Sequence, residues 1–314
     1  MNGNAVILLA VIVFVAVIAG LVLQNPEPAV RIGYQPLTVN LPLFVAYEDG
    51  LFNKTGVKVD LVRFETTNQI TDALLANKID ATGIIALQTL LSIEARTPGA
   101  FKAFAFNQQT PSKHIDALIA RKDSDIANIS DLKGKRVGVF PGSSTKAIAE
   151  VMLSRFMNTS DVTIVELAPS LQIDALKSGQ VDALITLEPI PTTAISLGVA
   201  KLVEETPMSK YVVENFTLGA AVVSSRFMDE NPELAGKVIE AFYAGIDKAN
   251  ADENQRGVLS IYLSLKPEIA AKVGVGNVVK AREANLALIQ KLSDIYYDNG
   301  QSAESVNVTQ FIIR

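Results

Sequence analysis

Cysteine and tryptophan are absent from this chain of 314 residues, and histidine occurs once, as His114. Without cysteine there is no disulfide, no thiolate nucleophile and no thiolate metal ligand. A single histidine rules out any metal site that needs two imidazoles. The missing indoles argue against a sugar site built on tryptophan stacking. Long runs of one charge are also absent. The 28 Lys and Arg form no basic block and the net charge is -5. Phosphate-backbone recognition needs concentrated positive charge, so a nucleic-acid partner is not expected.

What is present fits a folded chain. Apolar residues make up 49% and charged residues 19%, with 19 Gly and 13 Pro. This length is enough for two lobes with separate cores. Ala5 to Leu23 contains no charged residue and is mostly Val, Ile, Leu and Ala. As a helix it would span about 28 Å, the thickness of a bilayer core. The uncharged start Met1-Asn2-Gly3-Asn4 and the length of the run favour a retained N-terminal anchor over a cleaved signal peptide. Residues 1–29 are thus expected to form an anchor and a proline-containing spacer. Five Asn-x-Ser/Thr sequons, at Asn53, Asn128, Asn158, Asn215 and Asn307, lean toward an exported surface.

From Val30 onward short strands and helices alternate, which predicts an α/β fold with a mostly parallel sheet covered on both faces. The plan restarts near Asp131. Gln69-Ile70-Thr71-Asp72-Ala73-Leu74-Leu75-Ala76-Asn77-Lys78-Ile79-Asp80-Ala81 is echoed by Gln172-Ile173-Asp174-Ala175-Leu176-Lys177-Ser178-Gly179-Gln180-Val181-Asp182-Ala183. Each copy reads as a helix, a turn, a branched residue and Asp-Ala, so two related lobes are expected. Beyond a strand ending near Ser225 the sequence reads as helical, with Asn231-Pro232-Glu233 opening a long helix and another over Val278 to Tyr297. That block is expected to return to the first lobe. Residues 30–120 with 221–314 would form lobe 1, and residues 121–220 lobe 2. The crossings are placed near Ala120 to Ser124 and near Leu218 to Ala221, forming a hinge with a cleft between the lobes.

Four motifs carry a resemblance. They are Ile32-Gly33-Tyr34 with Pro42 and Gly50-Leu51-Phe52; Asp72-Ala73-Leu74 with Ile79-Asp80-Ala81; Asp131-Leu132-Lys133-Gly134-Lys135-Arg136-Val137-Gly138-Val139 leading to Gly142-Ser143; and Val181-Asp182-Ala183 through Glu188-Pro189. In order and spacing the chain resembles the type II periplasmic solute-binding proteins of ABC importers, in the branch that takes sulfonates, nitrate and thiamine precursors. The resemblance implies a two-lobed type II periplasmic-binding-protein fold and an extracytoplasmic location. It also implies a monomer with no cofactor and no catalysis. A small organic solute, a sulfonate-like anion or a heterocycle, would pass to a membrane permease driven by a cytoplasmic ATPase. Pyrimidine-synthesis enzymes of the same architecture need a cysteine-rich segment and histidines around the site, which this chain lacks. An anchored extracellular ligand sensor and, less readily, another enzyme on this fold remain as alternative readings.

Ligands in open α/β sheets lie beyond the carboxyl ends of the strands, and candidate contacts follow from that rule. Gly142-Ser143-Ser144-Thr145 opens a helix whose first N–H groups lack intrahelical partners; Ser143, Ser144 and Thr145 add hydroxyls. Thr66, Thr67 and Asn68 stand in the matching place of the first lobe. Gln35, Leu37, Thr38 and Asn40 form the loop after the first strand. Thr82 and Gly83 end a short strand, Gly83 permitting close backbone approach. Gln108 or its neighbour Gln109 follows another strand. Glu188 would receive a ligand amine or N–H. No arginine lies in these motifs, which weakens a carboxylate-clamp reading. Asp80 and Asp182 are expected to be structural, and the competing reading of Gly142 to Thr145, of Thr66 to Asn68 and of Glu188 is a group that satisfies its own helix start.

Overall fold

The computed structural model describes residues 29–313, with backbone only for Ser143 and Ser144. The expected membrane helix over Ala5 to Leu23 lies outside the described residues. Among those residues no helix is long and apolar enough to cross a membrane.

Eleven strands are described: β1 (Val30–Tyr34), β2 (Val59–Arg63), β3 (Ala81–Ala86), β4 (Phe101–Gln108), β5 (Asp116–Arg121), β6 (Arg136–Val139), β7 (Thr163–Glu166), β8 (Ala183–Leu187), β9 (Ala200–Glu205), β10 (Thr217–Ser224) and β11 (Val278–Lys280). They form two sheets, ordered β11-β4-β10-β3-β1-β2 and β7-β6-β8-β5-β9. In the first, β1 pairs in parallel with β2 and β3, and β10 runs antiparallel between β3 and β4. In the second, β6 pairs in parallel with β7 and β8, and β5 runs antiparallel between β8 and β9. The two-lobe plan with a repeated core is therefore present.

The crossings differ from expectation. β5 lies wholly in the second sheet and β10 wholly in the first. The chain thus passes between sheets in residues 109–115, and back between the helix Pro207–Tyr211 and β10. The two passages are bonded together. The Gln109 N–H donates to the Phe216 carbonyl at 3.0 Å, and the Thr206 N–H to the Asp116 carbonyl at 3.2 Å. The Asp116 carboxylate accepts the Met208 N–H at 2.8 Å. Burial pushes that carboxyl up from its ordinary value, against the pull of the Met208 N–H and the Gln109 amide.

The C-terminal block also departs from an all-helical reading. Val278–Lys280 adds an edge strand to β4, followed by a 3₁₀ turn at Ala281–Glu283, and the helix begins only at Leu286. A three-residue strand carries too little periodicity to be seen in sequence, but it satisfies backbone groups that β4 would otherwise leave open. The long helix is as expected: Pro232–Ala251 buries Ala235, Val238, Ala241, Phe242, Gly245 and Ile246 at helical spacing. It crosses the helix Leu41–Glu48 closely. A Cβ on Gly245 would lie 2.3 Å from the Pro42 carbonyl oxygen, so only glycine fits there.

The repeated Asp-Ala motif has a common structural role. Asp80 accepts the Arg31 N–H at 2.9 Å and its guanidinium at 2.9 and 3.1 Å. Asp182 accepts the Arg136 N–H at 2.9 Å and its guanidinium at 3.0 and 3.2 Å. Each carboxylate thereby ties the residue before the third parallel strand of its sheet to an arginine at the start of the first parallel strand. Partial burial alone would raise the Asp182 carboxyl. The Arg136 guanidinium, its backbone N–H and its charge outweigh this and hold it below the ordinary value. A lowered carboxyl contributes stability that is present above the unfolded value and lost as pH falls through the folded one. Asp182→Asn should therefore lower stability by about 1 kcal/mol at pH 7. In denaturation curves taken across the acid range, the gap from wild type should close as pH falls below about 4.

Candidate functional site

Both sheets point the carboxyl ends of their parallel strands at one cleft, which encloses about 770 Å3 with its open mouth included. Lobe 1 lines it with Gln35, Leu37 and Val39 after β1, Glu65 to Asn68 after β2, Ile84 to Ala86 of β3, and Leu218. Lobe 2 contributes Phe140, Pro141 and Gly142 after β6, Thr145 and Ile148 of the following helix, Leu187 and Met208. Most of the wall is aliphatic or aromatic, with polar groups gathered at two helix starts.

On the lobe 1 side those polar groups are held in place. Thr66 caps the helix Thr67–Leu75 through a reciprocal box: its hydroxyl accepts the Gln69 N–H at 3.3 Å, and the side-chain Oε1 of Gln69 accepts the Thr66 N–H at 3.2 Å. The Thr67 hydroxyl donates to Gln35 Oε1 at 2.8 Å, and Gln35 Nε2 donates to the Glu65 carbonyl at 3.2 Å. One Nε2–H of Gln35 and the lone pairs of Thr67 remain for a solute. Glu65 is paired with Arg63 at 3.2 Å, and both side chains are largely exposed.

On the lobe 2 side the groups are already engaged. The Thr145 hydroxyl donates back to the Phe140 carbonyl at 2.9 Å and lies 3.3 Å from that of Gly142. The Gly142 N–H donates to Glu166 Oε2 at 3.0 Å. Gly142 has φ +118°, a conformation that suits glycine at this turn.

Among the residues expected to touch a solute, Gln35, Leu37, Thr66, Thr67, Asn68 and Thr145 line the cleft. The side chains of Ser143 and Ser144 lie outside the description. The others do not line it, and all but Thr38 hold a hydrogen-bonding or packing place in the frame. Asn40 is fully buried; its Oδ1 accepts the Ile84 N–H at 2.6 Å, and its Nδ2 donates to the Gln35 carbonyl at 3.0 Å. The openness of Gly83 serves this same amide, because a Cβ there would sit 2.3 Å from Asn40 Oδ1. Thr38, in the same loop, is fully buried and its hydroxyl has no hydrogen-bond partner. The buried Thr82 hydroxyl accepts the Val222 N–H at 3.2 Å. Gln108 brackets Asn285, accepting its N–H at 2.8 Å and donating to its carbonyl at 3.2 Å. Gln109 is likewise buried and accepts the Ile115 N–H at 2.9 Å.

Glu188 faces the frame too, with its Oε1 accepting the Thr192 hydroxyl at 2.6 Å. Burial pushes its carboxyl up; the Thr192 hydroxyl, the N–H groups of Gly274 and Thr192, and His114 pull the other way. Sequence reasoning missed Glu65, Ile85, Phe140, Ile148, Leu187 and Met208. Phe140 and Leu187 were accessible to the strand-end rule, since one follows β6 and the other closes β8.

With the geometry in hand, comparison with known proteins is informative. The model of the NMT1-like family matches residues 23–263. The chain belongs to the NMT1-like family. Relatives of this family member include a Bacillus subtilis protein assigned the binding of aliphatic sulfonates. It is 27% identical over 261 residues, which is 81% of this chain and 74% of that protein. A Schizosaccharomyces pombe 4-amino-5-hydroxymethyl-2-methylpyrimidine phosphate synthase is 25% identical over 48% of this chain and 41% of its own. The alkanesulfonate-binding protein of Xanthomonas axonopodis pv. citri, solved bound to MOPS, superposes with a TM-score of 0.72. It is 20% identical and covers 92% of this chain and 100% of its own, a likeness that shows the shared fold alone.

Two outcomes check this frame. Gly83→Ala should destabilise the protein by about 2 kcal/mol, because the new methyl overpacks the Asn40 amide. Urea denaturation should show a lower midpoint at unchanged slope. For Glu188 the sign is the reverse of that for Asp182. A carboxyl raised on folding contributes most below its unfolded value and loses that contribution as pH rises through the folded one. The melting temperature of Glu188→Gln should therefore gain on wild type between pH 4 and pH 7, and a constant difference would refute the assignment.

Proposed function

We propose that this protein is the extracytoplasmic solute-binding component of an ABC importer. It captures a small organic solute between its lobes and presents it to a permease coupled to a cytoplasmic ATPase. The observation that carries this reading is the cleft itself: mostly apolar, polar at two helix starts, and lined from two lobes joined by paired crossings. Such crossings let the lobes rotate about a short bonded segment and enclose what lies between them. Residues 5–23 would serve as tether or export signal, keeping the lobes near the membrane. The relatives named for sulfonate binding support solute capture.

The synthase among the relatives gives an enzymatic reading some support, but the cleft chemistry does not favour it. Among the described residues the lining holds one ionisable side chain, Glu65, which is exposed and paired with Arg63. A general acid–base or nucleophilic site needs a perturbed group within reach of the reacting atoms.

The test is to purify the full chain in mild detergent and identify copurifying small molecules by native and then denaturing mass spectrometry. The same compounds are then tried by thermal shift. A true solute binds only the folded state, adding about 2.7 kcal/mol of apparent stability at a hundredfold excess over Kd. One released compound that restores the shift when added back is the expected result. A preparation that yields none, and no shift with sulfonates, nitrate or pyrimidines, would overturn solute capture. Turnover of the released compound would favour the enzymatic reading instead.

A further inference from the structure

We propose that Gln301 is a latch across the rim of the cleft: its backbone is fixed on lobe 1, its side-chain amide donates to a helix of lobe 2, and the closed form leans on that bond. The latch sets how readily the cleft opens for entry and release, a consequence that rests on the solute-capture reading above.

The turn that carries Gln301 belongs firmly to lobe 1. The helix Leu286–Asp298 buries Ile289, Leu292 and Tyr296, and packs on β10 and on the helix Leu87–Arg96. Two bonds close its end: the Gly300 N–H donates to the Tyr297 carbonyl at 2.9 Å, and the Gln301 N–H to that of Tyr296 at 2.8 Å. Such an ending needs one left-handed residue, which Gly300 supplies at φ +69°. Gln88, buried on the helix Leu87–Arg96, donates from Nε2 to the Gln301 carbonyl at 3.0 Å. With its N–H and carbonyl both committed to lobe 1, Gln301 has its side chain left to reach outward. That side chain reaches lobe 2. Nε2 donates to the Ala147 carbonyl, 3.2 Å away on the helix Ser143–Leu153. A carbonyl has two lone pairs, so this bond need not displace the helix's own.

The bond lies at the edge of the cleft. Thr89 from the helix Leu87–Arg96, and Thr145 and Ile148 from the helix Ser143–Leu153, line the cavity. Their neighbours Ser92, Lys146 and Ala147 line an adjoining recess together with Gly300 and Gln301. Among the described residues, none from either crossing lines that recess. The lobes also meet where Glu188 accepts the Gly274 N–H, but that bond lies beside a crossing: a Cβ on Gly274 would sit 2.7 Å from the His114 carbonyl. Rotation about the crossings moves Gly274 and Glu188 little and parts Gln301 from Ala147. The other atom of the amide, Gln301 Oε1, is buried with no hydrogen-bond partner among the described residues. Closure at this rim therefore gains from the Nε2 bond alone, and a single neutral hydrogen bond is weak enough for the lobes to part.

The test needs no solute. The chain has no cysteine, so Lys58→Cys in lobe 1 and Lys177→Cys in lobe 2, both at exposed positions, take spin labels at those two places alone. The full chain in mild detergent is dialysed exhaustively, and pulsed electron resonance reads the distribution of distances between the labels. Wild type should show a dominant closed distance. Gln301→Ala removes the donor, and Gln301→Asn leaves an amide one methylene short of Ala147. Each should raise the ratio of open to closed about threefold or more, the effect of one neutral hydrogen bond. Ser302→Ala, whose lost hydroxyl bonds only within the turn to the Glu304 carbonyl, should leave the distribution unchanged. Unchanged circular dichroism checks that all three variants fold. Equal distributions in wild type and both Gln301 variants would overturn the latch, as would equal opening by Ser302→Ala. Either result leaves solute capture standing, since that reading falls only by its own copurification and thermal-shift test.

Discussion

Two strands inside the sheets, β5 and β10, run against both of their neighbours, and the cleft depends on them. The parallel strands of each sheet end at the cleft, so a chain leaving one sheet there enters the other at its carboxyl edge. It can only run back the opposite way, and β5 and β10 are these returning strands. Their direction brings both passages to the same side, where Gln109 bonds Phe216 and Asp116 bonds Met208. Antiparallel insertion, paired crossings and a shared cleft are one topological fact. The Arg31–Asp80 and Arg136–Asp182 pairs lie at the opposite ends of the strands and fix each sheet away from the cleft.

Much of this was legible in the sequence. The echo from Gln69 to Ala81 and from Gln172 to Ala183 disclosed the duplication, and its Asp-Ala dipeptide disclosed a frame residue. Periodicity gave the long helix over Pro232–Ala251. The crossing points were not legible, because the alternation in Asp116–Arg121 and Thr217–Ser224 says a strand is buried without saying in which sheet. Three-residue β11 was lost for want of length.

The site was less legible than the fold for a specific reason. A polar residue at a strand end looks the same in sequence whether it faces a solute or its own backbone. Asn40 and Gly83 are a matched pair, one filling the space the other leaves, and neither announces the other across more than forty positions. Glu166 is the converse case: it ends a strand, and only its bond to the Gly142 N–H ties it to the turn after β6. Bonds between elements far apart in the chain are what local pattern cannot disclose.

The Asn40 amide, bonded to both the first loop and β3, has a bearing on rates. It braces the loop that carries Gln35 and Leu37, and Gly245 lets the helix behind that loop sit hard against Pro232–Ala251. One half of the cleft is therefore already in its working shape before any solute arrives. Little ordering of that half remains to oppose association. Encounter should then be similar for many visitors, and the family member would tell them apart by how long each one stays.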